Sequence, residues 1–306
     1  MQSLRLPRFQ RSPQIARIRL TDRDREIVRL VHQHRFLRSI HFVHLLNASR
    51  QRVLRRLQLL YHHGYLERPR AQIAYYERGS RPMVYGLGHK GAVLLKRESG
   101  IAFHELDWGT KNRSAGRLFL EHALLVSDVM VAFQLACRNS GRVRMLIGKD
   151  IPLPVSLRTH RQPFKWSVML NGTAKLGVVP DGAFALEFPD RSRERILYFL
   201  EGDCGTMPVT RATLARSSFQ RKLFAYEATW TQEVHRRRFG FNRFRVLTIT
   251  TSATRVSSLV EACRQLEHGR GLFLFADHAA LARHQDILSL PFQTGHGGGT
   301  EVLLAD

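Results

Sequence analysis

Residues 113–141, RSAGRLFLEHALLVSDVMVAFQLACRNSG, read as one long amphipathic helix ending at Gly141, and from there to residue 277 the chain alternates between apolar strands and helices. Strands are expected at RVRMLIGKDIPL (142–153), KLGVVPDGAFALEF (175–188, interrupted at Pro180-Asp181), RILYFLEGD (195–203), FRVLTITT (244–251) and GLFLFAD (271–277). Helices are expected for about 25 residues from Thr213 and again from Val256 to Leu266. Long helices between strands bury their apolar faces as layers on a sheet, so residues 113–306 predict an α/β domain with a central mixed sheet. FKWSVMLNGTAK (164–175) reads either as an exposed hairpin or as a core segment anchored by Trp166. TGHGGGT (294–300) lacks the strand-to-helix setting of a phosphate loop and reads as a flexible connection.

The first hundred residues are built differently. In TDRDREIVRLVHQH (21–34), Thr21 or Asp22 caps a helix with Ile27, Leu30 and Val31 on one face; SIHFVHLL (39–46) gives a short second helix. After a turn at Asn47-Ala48, Ser49 caps a third helix. Its Val53, Leu54, Leu57, Leu60 and Tyr61 face inward, while Arg50, Gln51, Arg52, Arg55 and Arg56 stay outside. A β-hairpin follows, with Arg68, Arg70, Arg78 and Arg81 along it and MVYGLG as its second strand. Three helices and a hairpin in this order resemble a winged helix-turn-helix domain over residues 20–98, with a basic arm before it (1–19) and a linker after it (99–112). Histidines 32, 34, 41, 44, 62 and 63 crowd the region and are expected at its surface or facing phosphate, since no cysteine completes a metal site.

Charge says what such a domain would hold. These hundred residues carry 21 Lys or Arg against 6 Asp or Glu, a net of +15 out of +23 for the chain. A field that strong favours a polyanion, because each phosphate contact releases counterions. Double-stranded DNA is the expected partner, read through the arginine face of the third helix and the arginines of the hairpin. No apolar run is read as approaching the roughly 20 residues of a membrane-spanning helix, and the N-terminus lacks the apolar stretch of a signal peptide. The three widely spaced cysteines suit a reducing compartment and are expected to be buried thiols, so the chain reads as cytoplasmic and bacterial.

The strand RILYFLEGD ends in Glu201 and Asp203, whose alternation puts both carboxylates on one face. Something positive must separate them: a basic side chain, such as Arg195 or Arg221, or a divalent metal. If the strands around Asp181 and Glu201 pair as a hairpin, Asp181, Glu201 and Asp203 converge, and Glu121 approaches from the preceding helix. Such a cluster of oxygen ligands suits Mg²⁺ or Mn²⁺.

A PD motif on one strand, E-x-(K) on the next and helices on either side resemble the PD-(D/E)XK restriction-endonuclease-like superfamily. The resemblance implies that Asp181 and Glu201 are metal-binding acids, with Glu121 as a further one. Asp203 stands where that superfamily has its lysine, so the lysine's place falls to Lys175, an even six residues before Asp181, or to Lys222 on the following helix with Gln220 and Tyr226 beside it. More specifically, LEHALLVSDV, VPDG, FLE-x-D-x-GT and K-L-x-x-Y behind a winged helix resemble the replication-relaxation family of plasmid and mobile-element proteins. That family is similar in layout to the C-type plasmid mobilisation relaxases. The resemblance implies metal-dependent nicking in replication or mobilisation, with Asp181, Glu201 and Asp203 holding the metal, Lys175 or Lys222 orienting water, and relaxosome or replication proteins as further partners. The alternative is a DNA-binding factor with a degenerate nuclease fold.

Overall fold

In the computed structural model, residues 6–304 are described except 14, 16, 77–80, 101–108, 171, 173 and 214. The chain is mixed α/β and divides into two compact units, Met1–Val131 and Ala132–Asp306. The expected linker lies largely outside the described residues.

The first unit opens with α1 (Asp22–His34), whose start is closed by a capping box. Asp24 N–H donates to the Thr21 hydroxyl at 3.3 Å, and Thr21 N–H donates to the Asp24 carboxylate at 2.7 Å. Strand β1 (Phe36–Arg38), α2 (Ser39–Leu45), α3 (Arg50–His62), β2 (Leu66–Glu67), the short α4 (Ile73–Tyr76), β3 (Val84–Leu87), α5 (His89–Ser99) and α6 (Gly109–Arg113) come next along the chain. The strands form an antiparallel sheet in the order β1-β3-β2. Ile27, Val28 and Val31 of α1 and Val53, Leu57 and Leu60 of α3 are fully buried, as their helical spacing requires. Gly86 is needed at the centre of β3, because a Cβ there would lie 2.9 Å from the Phe36 ring. The expected hairpin is corrected in part: α4 sits in the connection between β2 and β3. The histidines are corrected too. His41 is buried with its Nε2 3.0 Å from Asp128, and buried His62 accepts from Ser12 N–H at 3.1 Å.

Helix α7 (Arg117–Ser140) contributes to both units. Leu120 and Leu124 pack with Phe36 and Val84 in the first, while Phe133 meets Phe184 in the second, ring centroids 4.6 Å apart. Its 24 residues include a window of mean hydropathy 1.6, long and apolar enough by length and composition to cross a membrane. Reading only uninterrupted apolar runs missed this, because polar residues such as Ser127 and Asp128 punctuate it.

The second unit is built on a seven-stranded mixed sheet in the order β12-β11-β10-β9-β8-β7-β4. Its strands are β4 (Arg144–Ile147), β7 (Gly182–Phe188), β8 (Glu194–Asp203), β9 (Phe244–Thr250), β10 (Phe273–Asp277), β11 (Phe292–Thr294) and β12 (Thr300–Glu301). Strands β5 (Trp166–Leu170) and β6 (Ala174–Val178) form a separate hairpin after the short α8 (Val155–Arg158). Helices α9 (Phe219–Thr231) and α11 (Ala253–Cys263) cover one face of the large sheet; the short α10 (Val234–Arg237) and α12 (His278–Arg283) follow α9 and β10. Trp166 belongs to the core: it packs on Phe199 at 4.9 Å and donates from Nε1 to Thr229 Oγ1 at 2.9 Å. TGHGGGT is the turn between β11 and β12, with Thr294 N–H bonded to the Gly299 carbonyl at 3.1 Å and Gly297 and Gly298 at φ near +75° and +74°. Cys137 and Cys263 are buried as expected; Cys204 is half-buried.

Candidate functional site

The antiparallel pairing of β7 with β8 brings Asp181 to Glu201. Asp181 N–H donates to the Leu200 carbonyl at 3.0 Å, and Gly202 N–H donates to Asp181 Oδ2 at 3.0 Å. Glu201 is 1% exposed, at the end of an apolar strand that anchors it in the core. One turn apart on α9, Lys222 and Tyr226 share a face and both reach it: Lys222 Nζ lies 2.5 Å from Oε2, and the Tyr226 hydroxyl donates to Oε1 at 2.6 Å. Burial pushes the Glu201 carboxyl up to about 7, with Asp181 adding to the rise and Lys222 opposing it. Burial also acts against the Lys222 ammonium, yet Glu201 and then Asp181 hold it above its ordinary value. Asp181 and Glu201 both act on the one Lys222 ammonium.

Asp203 is spoken for. Burial would raise it, but Arg255 and Thr250 hold it below the usual carboxylate range. Arg255 donates from Nε at 2.8 Å and Nη2 at 3.2 Å, Thr250 Oγ1 at 2.7 Å and Gly205 N–H at 3.2 Å. Its two oxygens thus accept four hydrogen bonds, and Arg255 is its counter-charge. The expected basic partners of this strand are also corrected: Arg195 pairs with Glu187 at 2.7 Å and Arg221 donates to the Ala215 carbonyl at 3.2 Å, while Arg255 serves Asp203. Among the described residues, no three His, Cys, Asp or Glu side chains are grouped to hold a metal ion.

The other expected site residues make contacts of their own. Lys175 lies exposed on β6, which pairs only with β5; the chain leaves that hairpin before β7 begins, so the even spacing to Asp181 carries no shared face. Gln220 turns to Gln265 rather than to Lys222. Glu121 belongs to the first unit, where it pairs with Arg117 at 2.9 Å.

Of the arginines expected on the surface of the first unit, Arg50, Arg52, Arg55, Arg70 and Arg81 are exposed, as is Gln51. Two are structural instead. Arg56 donates from Nε to the fully buried Asp24 at 2.8 Å, and Arg68 is buried over the Tyr61 ring at 4.1 Å, donating to the Tyr85 hydroxyl at 3.0 Å. Arg78 lies outside the described residues. Sequence reasoning missed Thr250, brought to Asp203 by the parallel register of β8 with β9, and Arg255, which reaches it from the first turn of α11; no local motif signals either.

The sequence model of the family described as replication-relaxation matches residues 28–243, from within α1 to the start of β9, a span that includes Asp181, Glu201 and Lys222. No curated protein matches the chain, and no solved structure does.

Proposed function

The chain belongs to the replication-relaxation family, and from that premise we propose that it is a DNA-processing protein: its N-terminal unit grips duplex DNA and the Asp181–Glu201–Lys222 cluster breaks a phosphodiester bond with Mg²⁺ or Mn²⁺. The observation that carries this reading is the convergence of two acids and a lysine: Asp181 just before β7, Glu201 on β8 and Lys222 on α9.

The donor set fits a divalent cation in a limited way. Asp181 and Glu201 are the residues that would hold it, and two carboxylates suffice for Mg²⁺, which takes its remaining oxygens from phosphate and water. Asp203 is engaged by Arg255 and Thr250. When bound, the cation supplies Lewis-acid stabilisation of charge developing on the phosphate. Lys222, 31% exposed at its side chain, can turn from Glu201 to a phosphate oxygen or to the attacking water. Tyr226 keeps Glu201 oriented. It is no nucleophile, because burial, then Glu201, hold its hydroxyl well above its ordinary pKa and leave the side chain out of reach of solvent.

The order α1-β1-α2-α3-β2-β3 on a three-stranded antiparallel sheet supports the winged-helix reading of the first unit. Its α3 offers Arg50, Gln51, Arg52 and Arg55 to the groove, and Arg70 and Arg81 flank the connection between β2 and β3.

A supercoiled plasmid carrying the cognate origin should be nicked on adding Mg²⁺ or Mn²⁺ and protected by EDTA. Lys222→Met and Glu201→Gln should abolish nicking while leaving filter binding intact. One observation favours a second reading, a DNA-binding factor that does not cut: both Glu201 oxygens are already hydrogen-bonded within the protein. Wild-type binding without metal-dependent nicking would select it.

A further inference from the structure

Two buried hydroxyls face the end of β8 from the neighbouring strand, and only one of them is used. In the parallel pairing of β8 with β9, Asp203 stands opposite Thr250 and Glu201 opposite Thr248. Paired positions put their side chains on one face of the sheet, roughly 5 Å apart. Thr250 donates to Asp203 at 2.7 Å. Thr248 is 0% exposed, and its Oγ1 bonds to no group among the described residues. A buried hydroxyl left unsatisfied costs stability, and native structures keep few of them. Glu201, one methylene longer than Asp203, is carried past Thr248 to Lys222 and Tyr226.

We propose that Thr248 is a positioning residue for Glu201: its hydroxyl is a second seat for the carboxylate, taken when the Lys222 ammonium gives up its hold. This rests on the reading of the cluster as a metal-assisted phosphodiesterase centre. Any phosphate or cation arriving there competes for one half of the Lys222–Glu201 pair, and Glu201, deep in the sheet, then needs another donor. Gly202 N–H is committed to Asp181. The Gln220 amide nitrogen is committed to Gln265, and its unpartnered Oε1 cannot donate. Thr248 holds the unspent proton at the paired position. A carboxylate bonded from behind is fixed for a cation in front, and losing such support costs 10–100-fold in metal affinity in typical sites, about that range being expected here.

The test uses the full chain and Mn²⁺ alone, with calorimetric affinity and the metal-free unfolding midpoint as readouts. Thr248→Val, which keeps the shape and loses the hydroxyl, should leave the metal-free midpoint unchanged or raised and weaken Mn²⁺ by about 10–100-fold. Thr248→Ser should restore the affinity. Thr250→Val, which removes a bond already made, should lower the metal-free midpoint. The inference is overturned if Thr248→Val binds Mn²⁺ like wild type, or lowers the metal-free midpoint as Thr250→Val does. A wild-type chain that binds no Mn²⁺ would instead bring down the reading of the centre itself.

Discussion

Arg56 and Arg52 sit four residues apart on α3 and are expected to behave in opposite ways. Arg56→Ala would strand the fully buried Asp24 without its cation and should cost about 3 kcal/mol, the low end for breaking a buried pair, because Arg56 is itself partly exposed. Arg52→Ala should leave the denaturation curve in place. A matching loss of stability in both variants would show that the arginine face is uniformly structural. Asp203 makes a second prediction, in pH. Its folded pKa is depressed, so its contribution is present above the ordinary carboxylate range and is lost as pH falls through the folded value. Asp203→Asn should therefore be less stable than wild type at pH 7, with the gap closing below about pH 4 in acid titrations of the unfolding midpoint. The motif made Asp181, Glu201 and Lys222 legible in the sequence. Thr250 and Arg255 were not, because they come from 47 and 52 residues further along the chain; Thr250 meets Asp203 through strand register and Arg255 from the first turn of α11.

At the scale of elements, periodicity made α1, α2, α3 and α7 readable; the expected cap is made by Thr21 at α1, whereas Ser49 stands at the start of α3 without a side-chain cap bond. Strand β1 has three residues, too few for an alternation to register, and β11 and β12 are as short. Lys175 was misplaced for a related reason: an apolar pattern continuing across Pro180-Asp181 looks like one strand, whereas β6 and β7 belong to different sheets. For α3, Arg52→Ala and Arg55→Ala together should weaken DNA binding and flatten the logarithmic salt dependence by about 1 for each phosphate that is no longer neutralised. Unchanged affinity and slope would remove α3 from the interface. For the β5–β6 hairpin, Trp166→Phe deletes the bond to Thr229 and part of a packed aromatic cluster, and should cost about 1–3 kcal/mol in denaturant unfolding.

For the whole molecule, the decisive element is α7. Its apolar residues look like a single stripe in sequence, and nothing in their spacing says that Leu120 and Leu124 serve one core and Phe133 another. A fragment of residues 1–131 should therefore unfold cooperatively. One of residues 1–105 lacks the cover over Phe36 and Val84 and the Asp128 partner of Arg38 and His41, and should bind a hydrophobic dye and melt without a clear transition. Equal cooperativity in the two fragments would make α7 dispensable to the first core. The same arrangement imposes a schedule on biosynthesis. A ribosome delivers the chain from its N-terminus, so every strand of the first sheet has left the exit tunnel before the helix that closes it. At roughly 5–20 residues per second, the interval from the end of α5 to Leu124 is on the order of seconds. During that interval the nascent sheet offers Phe36 and Val84 to chaperones, and its completion coincides with the first turns of the segment from which the second core begins to assemble.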